Sequence, residues 1–179
     1  MCNIDNQKNI LRNKYRLLRK NISNPFVLSY LFMTNYINHV LMDNNSIIAA
    51  YIPIDGEIDV LPLMGYLQNH EYVVVVPIVS KQDKVLKFQK WKSNDNIDLI
   101  PNIMIVPMIS FDAKLNRLGF GKGYYDYTIN FFRSNFQCQF VGAAYNIQYC
   151  DNIPINDYDQ ALDLIITENK IYSKKIEVC

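Results

Sequence analysis

The chain has 179 residues, of which 50% are hydrophobic and 20% charged, and its formal net charge is +1. That places it in the globular class, long enough for one domain with a full core. A nearly neutral chain with no apolar run of membrane-spanning length is not expected to bind nucleic acid or a membrane surface in bulk.

The first twenty residues read as an amphipathic helix, with Ile10, Tyr15, Leu17 and Leu18 as an apolar stripe between lysines and arginines. Lys8, Arg12 and Arg16 stand at i, i+4 and i+8 and so share one helical face. A solvated basic face fits that spacing. So does a clamp on nucleotide phosphates, because a planar guanidinium makes two parallel hydrogen bonds. Ser23-Asn24-Pro25 starts a second helix, with Asn24 as N-cap and Pro25 at the first helical position, running to about Leu41. Asp43-Asn44-Asn45 is a turn. Residues 46–52 form a strand that is apolar on both faces, as in a covered sheet. Asp59 caps a helix that ends near Asn69, and residues 72–77 are a second buried strand.

Residues 85–91 alternate like a half-exposed strand, 93–102 form a polar loop, and 103–107 are a third buried strand. A glycine-rich stretch, a helix and two strands at 140–145 and 162–167 complete the chain; the tail from Lys170 is too short to assign. Strands alternating with helices predict a single-domain α/β fold over 1–179, a mainly parallel open sheet with helices on both faces and ligands at the carboxyl ends of strands. The cysteines Cys2, Cys138, Cys150 and Cys179 are scattered, which predicts a reduced cytoplasmic protein with neither zinc site nor disulfide framework. The polar start at residues 1–5 is not a secretory signal. His39 and His70 lie in helices far from any motif and read as structural.

The densest signal is Arg117-Leu118-Gly119-Phe120-Gly121-Lys122-Gly123-Tyr124-Tyr125-Asp126. Glycine lets backbone approach a ligand without a Cβ in the way, and a lysine in such a loop points at phosphate. An apolar strand-like run precedes the string and an apolar helical run at 127–132 follows it, the setting in which backbone N–H groups and a helix N-terminus bind phosphate. It is neither a P-loop, because Gly123 follows Lys122, nor the dinucleotide fingerprint, because the third glycine comes one residue early.

The ten-residue string resembles the signature R-L-G-x-G-[KG]-G-[YF]-Y-D of the 5-formyltetrahydrofolate cyclo-ligase (5,10-methenyltetrahydrofolate synthetase) family. Three further patches agree. Lys8-Asn9-Ile10-Leu11-Arg12 with Arg16 matches the family's K-x-x-L-R-x-x-x-R helix. The stretch from Ile52 to Asp59 is similar to its L-P-x-x-x-E-[VI]-[DE]-T segment. Pro154-Ile155-Asn156-Asp157-Tyr158-Asp159 and the stretch from Leu162 to Glu168 resemble its L-P-x-E-x-[HWN]-D and L-D-x-I-[IV]-T-E runs, with Asn156 in place of the usual glutamate.

The resemblance implies a fold of the NagB/RpiA/CoA-transferase-like kind. It implies an enzyme that closes 5-formyltetrahydrofolate to 5,10-methenyltetrahydrofolate with ATP and Mg²⁺, releasing ADP and phosphate. ATP contacts would fall on Lys8, Asn9, Ile10, Leu11 and Arg12, and on Arg117, Leu118, Gly119, Phe120, Gly121, Lys122, Gly123, Tyr124 and Tyr125. Folate contacts would fall on Ile52 and Glu57, and on Phe120, Gly121, Lys122, Gly123 and Tyr124. Arg117, Lys122 and Tyr124 would serve the chemistry, Asp126 and Asp159 the metal, and Tyr124 with Tyr125 a wall for a flat heterocycle. Without the resemblance Glu57 reads as an exposed turn carboxylate, and Asp126 as an early-helix carboxylate favoured by the helix dipole. The expected partners are ATP and a reduced folate, with a monomer and no nucleic acid or membrane. Two departures stand out: Phe120 where many members carry arginine, and a segment between Phe88 and Ile103 shorter than usual, without a G-I-x-E-P-like motif. A binding protein that has lost catalysis and a sugar-phosphate or thioester enzyme of similar fold remain as alternatives.

Overall fold

The computed structural model describes residues 4–80, 82–93 and 99–174. Cys2, Cys179, the first three residues and positions 94–98 of the expected polar loop lie outside the described residues.

The elements run α1 (Ile4–Lys20), α2 (Pro25–His39), β1 (Ile47–Ala49), α3 (Leu61–Asn69), β2 (Val73–Ile78), β3 (Lys87–Lys90) and β4 (Ile103–Pro107). After these come β5 (Ser110–Phe111), β6 (Arg117–Leu118), α4 (Tyr124–Asn135), β7 (Gln139–Ala143), β8 (Leu164–Ile166) and β9 (Ile171–Ser173). The main sheet has the order β3-β2-β1-β4-β7-β8-β9. Its five inner strands are parallel, and β3 and β9 pair antiparallel at the two edges.

Side chains alternate along a strand, so each inner strand feeds two cores. Ile103 and Ile105 of β4 pack with Phe32 and Tyr36 of α2 and Leu63 and Leu67 of α3. Met104 and Val106 pack on the other side with Ile129 and Phe132 of α4 and with Val75 and Phe140. The sheet is thus covered on both faces, and continuous apolar runs such as Val73-Val74-Val75-Val76 are what such a position requires. From the central pair β1 and β4 the chain winds outward in both directions, which leaves a crevice at the carboxyl ends of these strands.

Five local expectations need correction. Ile10 and Leu17 do not form a buried stripe on α1; they are 58% and 63% exposed, and the inward face carries Lys8, Tyr15 and Arg19. The helix faces backbone oxygens and carboxylates at the strand ends, so its cations turn inward: Arg19 donates to the Met108 carbonyl at 3.1 Å and to the Asp55 carbonyl at 2.6 Å. Asn24 does occupy the N-cap position of α2, but in the left-handed region (φ 53°), and its side chain makes no capping bond. The glycine string does not follow β4 directly, because the β5–β6 hairpin intervenes. The tail from Lys170 forms β9, pairing Ile165 with Tyr172. Asp59 stands one residue before the N-cap position of α3, which Val60 holds without a side-chain capping bond, and its Oδ1 accepts from Leu61 N–H at 2.9 Å.

Candidate active site

A cavity of about 470 Å³ opens at the carboxyl ends of β1, β2 and β4, lined among others by Tyr51, Pro77 and Pro107 just past or at those ends. Helix α1 runs along it like a ruler. Arg16 and Arg19 meet the Asp55 carboxylate at 2.7 and 3.0 Å. Arg12 donates from Nε to the Gly119 carbonyl at 2.9 Å. Lys8 reaches Asp159 at 2.5 Å. At 1.5 Å of rise per residue, Lys8 and Arg16 are about 12 Å apart along the helix axis.

The glycine string forms the opposite wall. Gly121 and Gly123 have φ of +90° and +77°, where side chains are strained. A Cβ on Gly121 would lie 3.1 Å from the Arg12 guanidinium, so the loop's approach to α1 depends on glycine there. Gly123 then caps α4, whose first residues Tyr124 and Tyr125 bring unpaired N–H groups and the positive helix end to the cavity.

One end of the cavity holds a buried acceptor. Glu57 is only 7% exposed and accepts from Ile54 N–H at 3.0 Å. Burial pushes its carboxyl up to about 7, partly opposed by the Ile54 hydrogen bond and by Arg19. Ile52, half exposed, and Phe120 line the same cavity. The Phe120 ring lies 5.9 Å from the Arg16 guanidinium carbon and 5.8 Å from that of Arg19. An arginine at this position would meet two cations already in place, and a phenylalanine offers them its ring face instead.

The other end is charged. Arg117 is buried and donates to Asp126 Oδ1 at 2.9 Å, while its Nε has no partner among the described residues. Burial lowers the Arg117 pKa, and Asp126 opposes that shift. Asp126 Oδ1 also accepts from Gln160 N–H at 3.2 Å, and Asp159 Oδ2 accepts from Asn156 N–H at 2.7 Å. Among the described residues no group of three or more His, Cys, Asp or Glu side chains could hold a metal. Magnesium needs less, since it uses one or two carboxylates plus nucleotide phosphates and water. Asp126 and Asp159 line one cavity, and the remaining oxygen of each accepts no hydrogen bond among the described residues, so the pair fits that ion.

Of the site residues expected from sequence, Lys8, Arg12, Ile52, Glu57, every residue from 117 to 126, and Asp159 share this cavity. Asn9, Ile10 and Leu11 do not line it: Asn9 accepts from Arg12 at 2.6 Å, and Ile10 faces solvent on the far side of α1. His39 and His70 lie elsewhere, each against a backbone carbonyl of its own helix. Three features escaped the sequence reading. Lys84 donates to the Lys122 carbonyl at 3.3 Å and sits 5.3 Å from the Tyr124 ring centroid. Arg19 is buried against the Asp55 turn, and Tyr158 stands at the cavity rim. No spacing pattern marks Lys84; Arg19 continues the i, i+4, i+7, i+11 face of Lys8, Arg12 and Tyr15 and was passed over for Arg16, and adjacency to Asp159 was the one available pointer to Tyr158.

Comparison with known proteins gives a consistent result. The family model described as the 5-formyltetrahydrofolate cyclo-ligase family matches residues 4–168. The chain is 27% identical over 146 residues to the 5-formyltetrahydrofolate cyclo-ligase of Escherichia coli (strain K12), covering 70% of this chain and 79% of that protein. It is 31% identical over 123 residues to the protein of that name from Mycoplasma genitalium, covering 66% of this chain and 70% of the other. Among solved structures, a 5,10-methenyltetrahydrofolate synthetase from Mycoplasma pneumoniae matches with a TM-score of 0.77 at 27% identity, over 90% of this chain and 98% of that one.

Proposed function

The chain belongs to the 5-formyltetrahydrofolate cyclo-ligase family, and from that premise we propose that it converts 5-formyltetrahydrofolate to 5,10-methenyltetrahydrofolate at the expense of ATP. The observation that carries the proposal is the polarity of one cavity. A buried carboxylate, Glu57, marks one end and the Lys8–Asp159 pair the other; Arg12 lies between them, bonded to the glycine loop that forms the opposite wall.

In this reading the pterin lies beside Ile52 and Phe120, and its adjacent amino and ring N–H donors meet the Glu57 carboxylate. That fixes the formyl oxygen toward the glycine loop. The triphosphate lies along the loop N–H groups and the α4 N-terminus, with Arg12, Lys122 and Lys8 around it. The formyl oxygen attacks the γ-phosphorus and ADP departs. The formyl carbon, now bearing a phosphate leaving group, is attacked by the second folate nitrogen. The ring closes, the C–O bond breaks, and phosphate leaves with the proton of that nitrogen.

Such a transfer requires positioning and charge neutralisation more than a protein nucleophile. Arg117 and Lys122 supply positive charge where the phosphoryl oxygens gather, and Tyr124 forms part of the wall against the reacting heterocycle. Asp126 and Asp159 would hold a magnesium ion, which when bound neutralises phosphate charge. The scattered cysteines support a reduced, cytoplasmic setting. We take the enzyme to act as a monomer on small molecules, without nucleic acid or membrane; among the described residues no helix is long and apolar enough to cross one.

The test is incubation of the pure protein with 5-formyltetrahydrofolate, ATP and Mg²⁺. Methenyl product formed together with ADP is the expected result. Binding of both substrates without product would favour a binding protein instead, and binding of neither would reopen the sugar-phosphate and thioester alternatives.

A further inference from the structure

Residues 54–57 close a tight turn. Glu57 N–H donates to the Ile54 carbonyl at 3.0 Å, and Ile54 N–H donates back to Glu57 Oε2 at 3.0 Å. The two residues at the tip, Asp55 and Gly56, have φ of +51° and +72°. Glycine takes that region freely; an aspartate enters it at some cost, which its surroundings have to offset. The turn that carries Glu57 is therefore set by whatever holds its tip.

Two arginines of α1 hold it. Arg16 donates to both Asp55 carboxylate oxygens, at 2.7 and 3.1 Å. Arg19 spans the turn and the residue after β4. One of its nitrogens donates to the Asp55 carbonyl at 2.6 Å and to Oδ2 at 3.0 Å, and the other to the Met108 carbonyl at 3.1 Å. The Arg16 hydrogen bond, foremost, lowers the Asp55 pKa and keeps the carboxylate charged. The same two guanidiniums lie 5.9 and 5.8 Å from the ring of Phe120, which lines the cavity from the glycine loop. One ionic cluster thus touches both the turn of Glu57 and the apolar wall beside it. Asp55, Arg16 and Arg19 do not themselves line the cavity, so what they do for a ligand they do through their neighbours.

We propose that Asp55 is a positioning residue for the reaction. Through Arg16 and Arg19 it fixes the Glu57 turn against the Phe120 wall, so that the acceptor is already in place when the pterin donors arrive. The inference rests on the cyclo-ligase reading above and deepens it, because that reading gives Glu57 its role and leaves unassigned what orients it. A carboxylate held in place before the ligand binds loses little freedom on binding, and the affinity gains accordingly.

The test is calorimetric titration of 5-formyltetrahydrofolate, and separately of ATP with Mg²⁺, onto wild type, Asp55→Asn, Glu57→Gln and the double variant. Asparagine tolerates the left-handed region, so Asp55→Asn keeps the turn and removes the charge. It is expected to weaken folate binding about 5- to 50-fold and to leave ATP affinity unchanged. In the Glu57→Gln background the same change should cost less than about 2-fold, because the charge it positions is already gone. Arg16→Gln, on the 44% exposed side of the cluster, should show the same split with a smaller factor, and it replaces Asp55→Asn if that variant does not fold. Equal losses with and without the Glu57 carboxylate, a loss of ATP affinity as large as that of folate, or no loss of folate affinity overturns the positioning role. In each of these cases wild-type protein that still turns over leaves the cyclo-ligase reading intact. Wild-type protein that binds no 5-formyltetrahydrofolate overturns both.

Discussion

Lys8 and Asp159 meet at 2.5 Å across 151 residues of sequence, tying the first helix to the loop that precedes β8. In the function proposed above the lysine would meet a nucleotide phosphate and the aspartate the accompanying metal; in this structure each neutralises the other. Arg117 and Asp126 repeat the arrangement at 2.9 Å. Buried charges need partners, and these pairs balance the charged end of the cavity.

Replacing Lys8 by methionine removes the cation and leaves Asp159 with the Asn156 N–H alone. The KM for ATP is expected to rise about 10- to 100-fold, as for a lost charge-assisted hydrogen bond, while the KM for 5-formyltetrahydrofolate stays nearly constant. Steady-state kinetics with each substrate varied in turn checks this split.

Glu57 gives a pH signature. Burial raises its carboxyl from 4.5 to about 7. Folding therefore favours its neutral form, and the stability it contributes is complete below pH 4.5 and falls as pH rises through 7. Ionisation of Glu57 costs the fold on the order of 3 kcal/mol by about pH 8. Glu57→Gln should match wild type in urea unfolding near pH 5 and exceed it near pH 8. Substrate binding should run the other way. The ionised carboxylate is the better acceptor for the pterin donors, so wild-type affinity for 5-formyltetrahydrofolate should rise with pH through 7, and that of the variant should be weaker and flat.

Lys122 lies exposed on the glycine loop, and its side chain makes no hydrogen bond among the described residues. Lys122→Ala is expected to lower turnover by about 10²- to 10³-fold without moving the thermal unfolding midpoint. An unchanged rate would remove this lysine from the chemistry.

Gly121→Ala tests the approach of loop to helix. The residue holds φ of +90°, and the added Cβ would lie 3.1 Å from the Arg12 guanidinium. A loss of about 1–3 kcal/mol in urea unfolding is expected from backbone strain, with weaker ATP binding as Arg12 gives way.

How much of this was legible depended on what each residue packs against. The apolar run of β4, buried on both faces, ended where sequence placed it, at Ile103 and Pro107. The edge strand β9 was hidden because Tyr172 and its neighbours are only half-buried and take their pairing from β8. The inward face of α1 was misjudged because hydrophobic periodicity assumes an apolar core. Here the helix spans a polar crevice, and Tyr15 reaches in to donate to the Tyr149 carbonyl at 2.9 Å. The glycine string announced itself, since glycines at +90° and +77° beside a helix start are a local requirement. Lys84 and Tyr158 owe their positions to contacts between distant segments, which no single-sequence spacing encodes, whereas Arg19 stands on the helical face of Lys8, Arg12 and Tyr15.

The most direct measurement follows the formyl oxygen. 5-Formyltetrahydrofolate carrying heavy oxygen in its formyl group is turned over with ATP and Mg²⁺, and the released phosphate is analysed by mass spectrometry. If the formyl oxygen is the group that accepts the phosphoryl in this cavity, one heavy oxygen appears in each phosphate formed with product. Product accompanied by unlabelled phosphate, or no product at all, would contradict the account.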